Sequence, residues 1–118
     1  MNQHYPEVVT DLNATLGQLR KEMTETTRAF GQMSRAAYAD GALSHKHKEL
    51  MAMAIGIAAR CQGCLAFHAK ALVDLGCGRA EFIEMLQVSV VMGGGPALMT
   101  AAEALQAFES FGGERAPA

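Results

Sequence analysis

Apolar residues recur along this chain at spacings of three and four, and strict alternation with polar residues is missing. From Pro6 to Tyr38 the pattern predicts one long helix or two shorter ones, with Leu12, Leu16, Leu19 and Met23 on a common face. Ser44 has the chemistry of an N-cap for a helix running to about Ala59, whose apolar stripe is Leu50, Met53, Ala54 and Ile57. Further helices are predicted from near Cys61 to Leu75, from about Arg79 to Met92 with Phe82, Leu86 and Val90 four apart, and from Pro96 to Phe111. Glycine supplies the stops, at Asp40-Gly41, Leu75-Gly76-Cys77-Gly78, Gly93-Gly94-Gly95-Pro96 and Gly112-Gly113, and Pro96 suits the first turn of the helix that follows. The single β-branched run, Val88-Ser89-Val90-Val91, is too short to build a sheet. The fold class is therefore all-α: a compact bundle of about five to six helices, with the cysteine pair at the start of one of them. We expect one domain over residues 1–118, with its core at about 20–111 and a flexible tail at 112–118.

Composition narrows the function classes. The chain has 118 residues, half of them hydrophobic and 19% charged, which is one domain's length and too apolar for disorder. A formal net charge of −2 and a pI of about 6.0 leave no basic face for nucleic acid and no polybasic membrane anchor. No run reaches 18 consecutive apolar residues, and Met1 to Glu7 lacks the charged-then-apolar order of a leader, so a cytoplasmic protein without a membrane span is expected. A domain this small buries only about two thirds of its unfolded surface, so apolar surface is left over for subunit contacts and a homo-oligomer is expected. Two of the three cysteines stand as Cys61-Gln62-Gly63-Cys64, which in a reducing compartment points to redox or metal chemistry.

On a helix, Cys61, Cys64 and His68 share one face at spacings of three and four. Residues three apart have Cα atoms about 5 to 5.5 Å from each other, inside the window a disulfide tolerates, so the pair can open and close without refolding. Helix N-terminal dipole favours a thiolate at the earlier Cys61, whereas direct imidazole contact favours Cys64, and we take the direct contact as the stronger. Glu49 lies twelve residues before Cys61, about 18 Å away along one continuous helix. If the chain turns back near residue 60, antiparallel packing brings Glu49 level with residue 71, about one turn from His68. Nucleophile, base and orienting carboxylate then stand in the order Cys64, His68, Glu49.

Blander readings stand beside this one. The pair could be two buried small hydrophobes, or with His68 and one of His45, His47 or Glu49 it could hold zinc. His45 and His47, with Lys46 and Lys48, are expected to form a solvated helix start, with His45 outside the site. Cys77, between two glycines at a helix end, is expected to be a structural or incidental thiol. The eight methionines are scattered filler, and Gly93-Gly94-Gly95 is a turn, since a phosphate loop needs a preceding strand.

Glu49, eleven residues, Cys61-Gln62-Gly63-Cys64, three residues and His68 together resemble the alkylhydroperoxidase AhpD-type signature of the carboxymuconolactone decarboxylase-like superfamily. Leu43-Ser44 with Lys48-Glu49-Leu50 before the motif, Leu75-Gly76 after it, and Met92-Gly93-Gly94-Gly95-Pro96 are also similar to that family, over roughly residues 20 to 111. The resemblance implies a helical bundle assembling as trimers or hexamers and a thiol-dependent reduction of hydroperoxides. It assigns Cys64 as peroxidatic thiol, Cys61 as resolving thiol, and His68 with Glu49 as proton relay, with no metal and no cofactor. The implied partners are a hydroperoxide and a thiol reductant, either a lipoyl-bearing or thioredoxin-like protein or a small thiol. Members that decarboxylate the muconolactone ring lack the cysteine pair, so its presence favours the redox branch over a decarboxylase or lactone-acting enzyme; a redox switch or oligomeric binding module that uses the same pair without turnover stays as the alternative. Some AhpD proteins carry a histidine just before the second cysteine, where this chain has Gly63 and so lacks one proton donor.

Overall fold

The structure, a computed structural model, describes residues 4–117; Met1 to Gln3 and Ala118, the ends of the expected leader-free start and tail, lie outside them. Five helices follow one another: α1 (Tyr5–Glu22), α2 (Thr24–Tyr38), α3 (His45–Ala59), α4 (Gln62–Asp74) and α5 (Arg79–Ser110). Among the described residues there is no strand.

The long first segment divides at Met23, whose φ of −134° and ψ of 57° leave the helix for one residue. Its apolar stripe is only partly covered: Leu12, Leu19 and Met23 remain exposed, and the residues α1 buries are Tyr5 and Val9. The expected start of α3 holds, because the Ser44 hydroxyl accepts the His47 N–H at 3.2 Å and the Asp40 carboxylate accepts the His45 N–H at 2.8 Å. Arg60 closes α3 in the left-handed conformation (φ 54°, ψ 48°), and the Cys61 N–H returns to the Gly56 carbonyl at 3.1 Å. That reversal sends α4 back along α3. Gly56 meets Cys64 near the turn and Glu49 meets His68 farther from it, so the two helices run antiparallel.

α4 ends at Gly76 (φ 75°), where the Cys77 N–H bonds the Leu72 carbonyl at 2.9 Å. The Glu81 carboxylate then accepts the Gly78 N–H at 3.0 Å to open α5 and takes Lys46 Nζ at 2.7 Å, which ties the starts of α3 and α5 together. The expected stop at the glycine run is a break inside α5, confined to Gly94 with φ 70° and ψ −152°, a conformation that suits glycine alone. By length and hydropathy α5 would suffice to cross a membrane, but here it supplies much of the core.

Met53 and Ile57 of α3, Leu65 and Leu72 of α4, and Phe82 and Phe108 of α5 form the centre of that core. The two phenylalanine rings stack with centroids 4.4 Å apart, closing α5 on itself across its break. The segment expected as a flexible tail is tied down over its first part. Gly113 is buried with its N–H on the Phe108 carbonyl at 2.9 Å, and the Glu114 carboxylate accepts the Arg79 N–H at 2.9 Å.

Candidate active site

Cys61 is the N-cap of α4 rather than its first helical residue: its backbone is extended (φ −100°, ψ 103°) and its sulfur accepts the Cys64 N–H at 3.1 Å. Extended geometry at the cap brings the two Cα atoms to 5.2 Å, and Cys61 and Cys64 are joined as a disulfide. Both residues are half-buried, at the end of the α3–α4 hairpin. A glycine at position 56 lets the helices meet there, since a Cβ on Gly56 would lie 3.0 Å from the Cys64 Cβ.

One turn beyond Cys64, His68 donates from Nδ1 to Glu49 Oε1 at 2.6 Å. The Glu49 side chain is 8% exposed, and this short contact bridges α3 and α4 with no water between. A carboxylate only accepts, so Nδ1 carries the proton and Nε2 keeps the lone pair of a base. The antiparallel register inferred from the sequence is thus realised as a direct contact.

Two residues join this core that sequence reading left out. His45, expected as part of a solvated helix start, donates from Nε2 to the second Glu49 oxygen at 3.1 Å, which corrects that expectation. Position i−4 from Glu49 on the same helix face was the available signal. Tyr38, the last residue of α2, lays its ring against both imidazoles, with centroids 6.0 Å from His45 and 6.1 Å from His68. Burial, reinforced by the Glu49 charge, pushes its phenol above the usual tyrosine range, so Tyr38 stays protonated at neutral pH. Nothing in its sequence neighbourhood marked it, because α2 meets the site only through the tertiary fold. A cavity of about 360 Å³, lined by Ser34, Arg35, Tyr38, Ala39 and His45, opens beside these rings.

His47 stays at the helix start, with Nδ1 2.8 Å from the Ser44 hydroxyl, and takes no part. Cys77 is free, buried and remote from the pair; burial and the nearby Glu81 charge, against a smaller pull from Lys46, push its thiol up to about 11. The structure places it as a buried thiol apart from the pair. Among the described residues no group of three or more His, Cys, Asp or Glu is arranged to hold a metal ion.

A sequence model of the carboxymuconolactone decarboxylase family matches residues 24–107. A carboxymuconolactone decarboxylase family protein from Legionella pneumophila, solved in its apo form, is similar with a TM-score of 0.89 and 48% identity, covering 91% of this chain and 96% of that one. A second member, from Thermotoga maritima, for which a part in the antioxidative response has been suggested, has a TM-score of 0.66 and 27% identity over 80% of this chain and 87% of its own. An uncharacterised protein of Cupriavidus necator is 32% identical over 103 residues, 87% of this chain and 91% of the relative. With the family match spanning most of the helical core, the chain belongs to the carboxymuconolactone decarboxylase family.

Proposed function

We propose that this protein is a thiol-dependent peroxidase that reduces hydroperoxides through the Cys61–Cys64 pair, with His68 and Glu49 as proton relay. The observation that carries the reading is the 2.6 Å Glu49–His68 contact on the same face of α4 as the cysteine pair. In the reduced protein His68 Nε2 takes the Cys64 thiol proton. The Cys64 thiolate attacks the terminal oxygen of ROOH, the O–O bond breaks, and the leaving alkoxide takes the proton from His68 to give ROH. Cys61 sulfur then attacks the Cys64 sulfenic acid; the S–S bond forms and water leaves with the Cys61 proton. A dithiol reductant, lipoyl-bearing or thioredoxin-like, or two small thiols, restores the pair and is itself oxidised to a disulfide.

The N-cap bond from the Cys64 N–H to Cys61 sulfur favours negative charge on Cys61, so the two thiol roles need a direct test. That test is mass spectrometry of thiol-blocked protein before and after stoichiometric cumene hydroperoxide, with Cys61→Ser and Cys64→Ser alongside. The expected result is a Cys61–Cys64 disulfide in the wild type and a trapped sulfenic acid at Cys64 in Cys61→Ser. A sulfenic acid at Cys61 in Cys64→Ser would exchange the roles. Thiols that all stay reduced would end the redox reading and leave the family's cysteine-independent chemistry at His68.

The same reading includes a homo-oligomer in a reducing compartment such as the cytoplasm. It is supported by α2, which buries no residue of its own, and by the exposed Phe30, Met33, Val91 and Met92 on α2 and α5. Light scattering on the purified chain should give a trimer or hexamer mass, and a monomer mass at micromolar concentration would oppose it.

A further inference from the structure

Glu49 has two oxygens, and each takes one imidazole: Oε1 the His68 Nδ1–H at 2.6 Å, Oε2 the His45 Nε2–H at 3.1 Å. The two rings differ in access. The His68 side chain is 23% exposed and packed under Tyr38, whereas His45 is 38% exposed and lines the cavity shared with Arg35 and Tyr38. Solvent protons therefore reach His45 far more readily than they reach the buried carboxylate it touches.

Resting on the relay proposed above, we infer that His45 is a positioning residue of that relay whose own protonation sets how much of the Glu49 charge reaches His68. By holding Oε2, His45 leaves Oε1 to His68. When Nδ1 of His45 gains a proton, the contact becomes a full ion pair and the carboxylate charge is drawn toward His45. His68 is then a weaker base toward Cys64, and the thiol slows as the solution is acidified. The groups facing His45 are Glu49 on its own helix, His68 on α4, Tyr38 and Arg35 on α2, and Asp40, which accepts the His45 backbone N–H at 2.8 Å. Arg35 is cationic throughout and Tyr38 remains a neutral phenol, so neither α2 side chain changes its charge as the solution is acidified.

The test follows iodoacetamide alkylation of Cys64 in the reduced full chain from pH 5 to 8, read by mass spectrometry. Wild type, His45→Gln, His45→Ala and His68→Ala are compared. A glutamine amide nitrogen stands where Nε2 stood and still donates to Glu49, but it does not titrate. His45→Gln should keep the wild-type rate within about threefold at pH 8, and its acid limb should lose one proton's steepness, while His45→Ala should be slower at pH 8 by about tenfold. Superimposed acid limbs for wild type and His45→Gln, or a His45→Ala rate equal to wild type at pH 8, would overturn the inference. Equal rates for His68→Ala and wild type would remove the relay and the His45 role with it. Alkylation needs no peroxide, so a negative cumene hydroperoxide assay would count against the peroxidase alone.

Discussion

Gly56→Ala places a new side-chain carbon where α3 packs closely against Cys64 of α4, and two opposing effects decide the outcome. In an exposed helix the change would stabilise by about 1 kcal/mol, because alanine loses less backbone entropy than glycine. Here the new Cβ would lie 3.0 Å from the Cys64 Cβ, against an optimum of about 3.5 to 4.0 Å between carbon atoms. A Cβ cannot rotate away, and Cys64 is further tied to Cys61 by the disulfide, so relief requires α4 to recede from α3 by about half an ångström. Overpacking of this kind costs about 1 to 3 kcal/mol, which outweighs the propensity gain and leaves a net loss of about 1 kcal/mol. The melting temperature should fall by about 4 °C. The chemistry should suffer more than the stability, because His68 rides on the same helix one turn from Cys64. A recession of that size stretches the 2.6 Å Glu49–His68 bond toward 3.1 Å or beyond, where a charge-assisted bond has lost most of its advantage. Cys64 alkylation at pH 7 in the reduced protein should slow by about tenfold. A Gly56→Ala protein that melts higher than wild type and alkylates as fast would show that the α3–α4 approach has slack, and the reasoning about the site's geometry would fall with it.

Glu49→Gln keeps the size of the side chain but offers one acceptor oxygen to two imidazole donors, so Cys64 alkylation at pH 7 should drop about tenfold with little change in melting temperature; an unchanged rate would take Glu49 out of the relay. Cys77 should resist iodoacetamide at pH 8 until the protein unfolds, since its thiol is pushed up to about 11, and prompt native-state labelling would contradict that burial. The same group makes stability depend on pH. The unfolded chain loses its Cys77 proton near 9.0 and the folded one only near about 11, so the contribution is fully present below pH 9. It is lost as pH rises to about 11, by roughly 2 to 3 kcal/mol, and a Cys77→Ala protein should show a flatter decline in urea midpoint over that range. Gly113→Ala should lower the unfolding free energy measured in urea by about 2 kcal/mol or more, because its Cβ would overlap a Phe108 ring that is fully buried and stacked on Phe82; a wild-type unfolding free energy would mean that the chain after α5 yields freely.

His45 and Tyr38 give the site a layered arrangement. Glu49 is the buried centre, His68 stands one helical turn from Cys64, His45 lines the cavity, and the Tyr38 ring packs against both imidazoles. That last element depends on α2, which buries none of its own residues yet presents Tyr38 at its final position. The site is therefore built on the well-buried α3–α4 hairpin and finished by α2, the helix that buries no residue. Whatever holds α2 in place also holds the wall of the cavity beside the two imidazoles.

Much of this was legible in the sequence because it rests on local physics. Helical periodicity, the Ser44 cap and the glycines at 76 and 94 set helix class and boundaries through interactions within a few residues, and Cys64 shares a face with His68 by helical spacing, while Cys61 reaches Cys64 from the extended cap position. The reach of Glu49 to His68 was also readable, since a turn near residue 60 leaves a hairpin little freedom of register. Other features were decided only by the tertiary structure. The break at Met23, the exposure of the Leu12 to Met23 face and the docking of Glu114 on Arg79 depend on which surfaces other helices leave uncovered. Likewise His45 and Tyr38 enter the site because three helices converge on one carboxylate. Spacing within a helix states which side chains share a face, but what that face meets is settled by packing between helices.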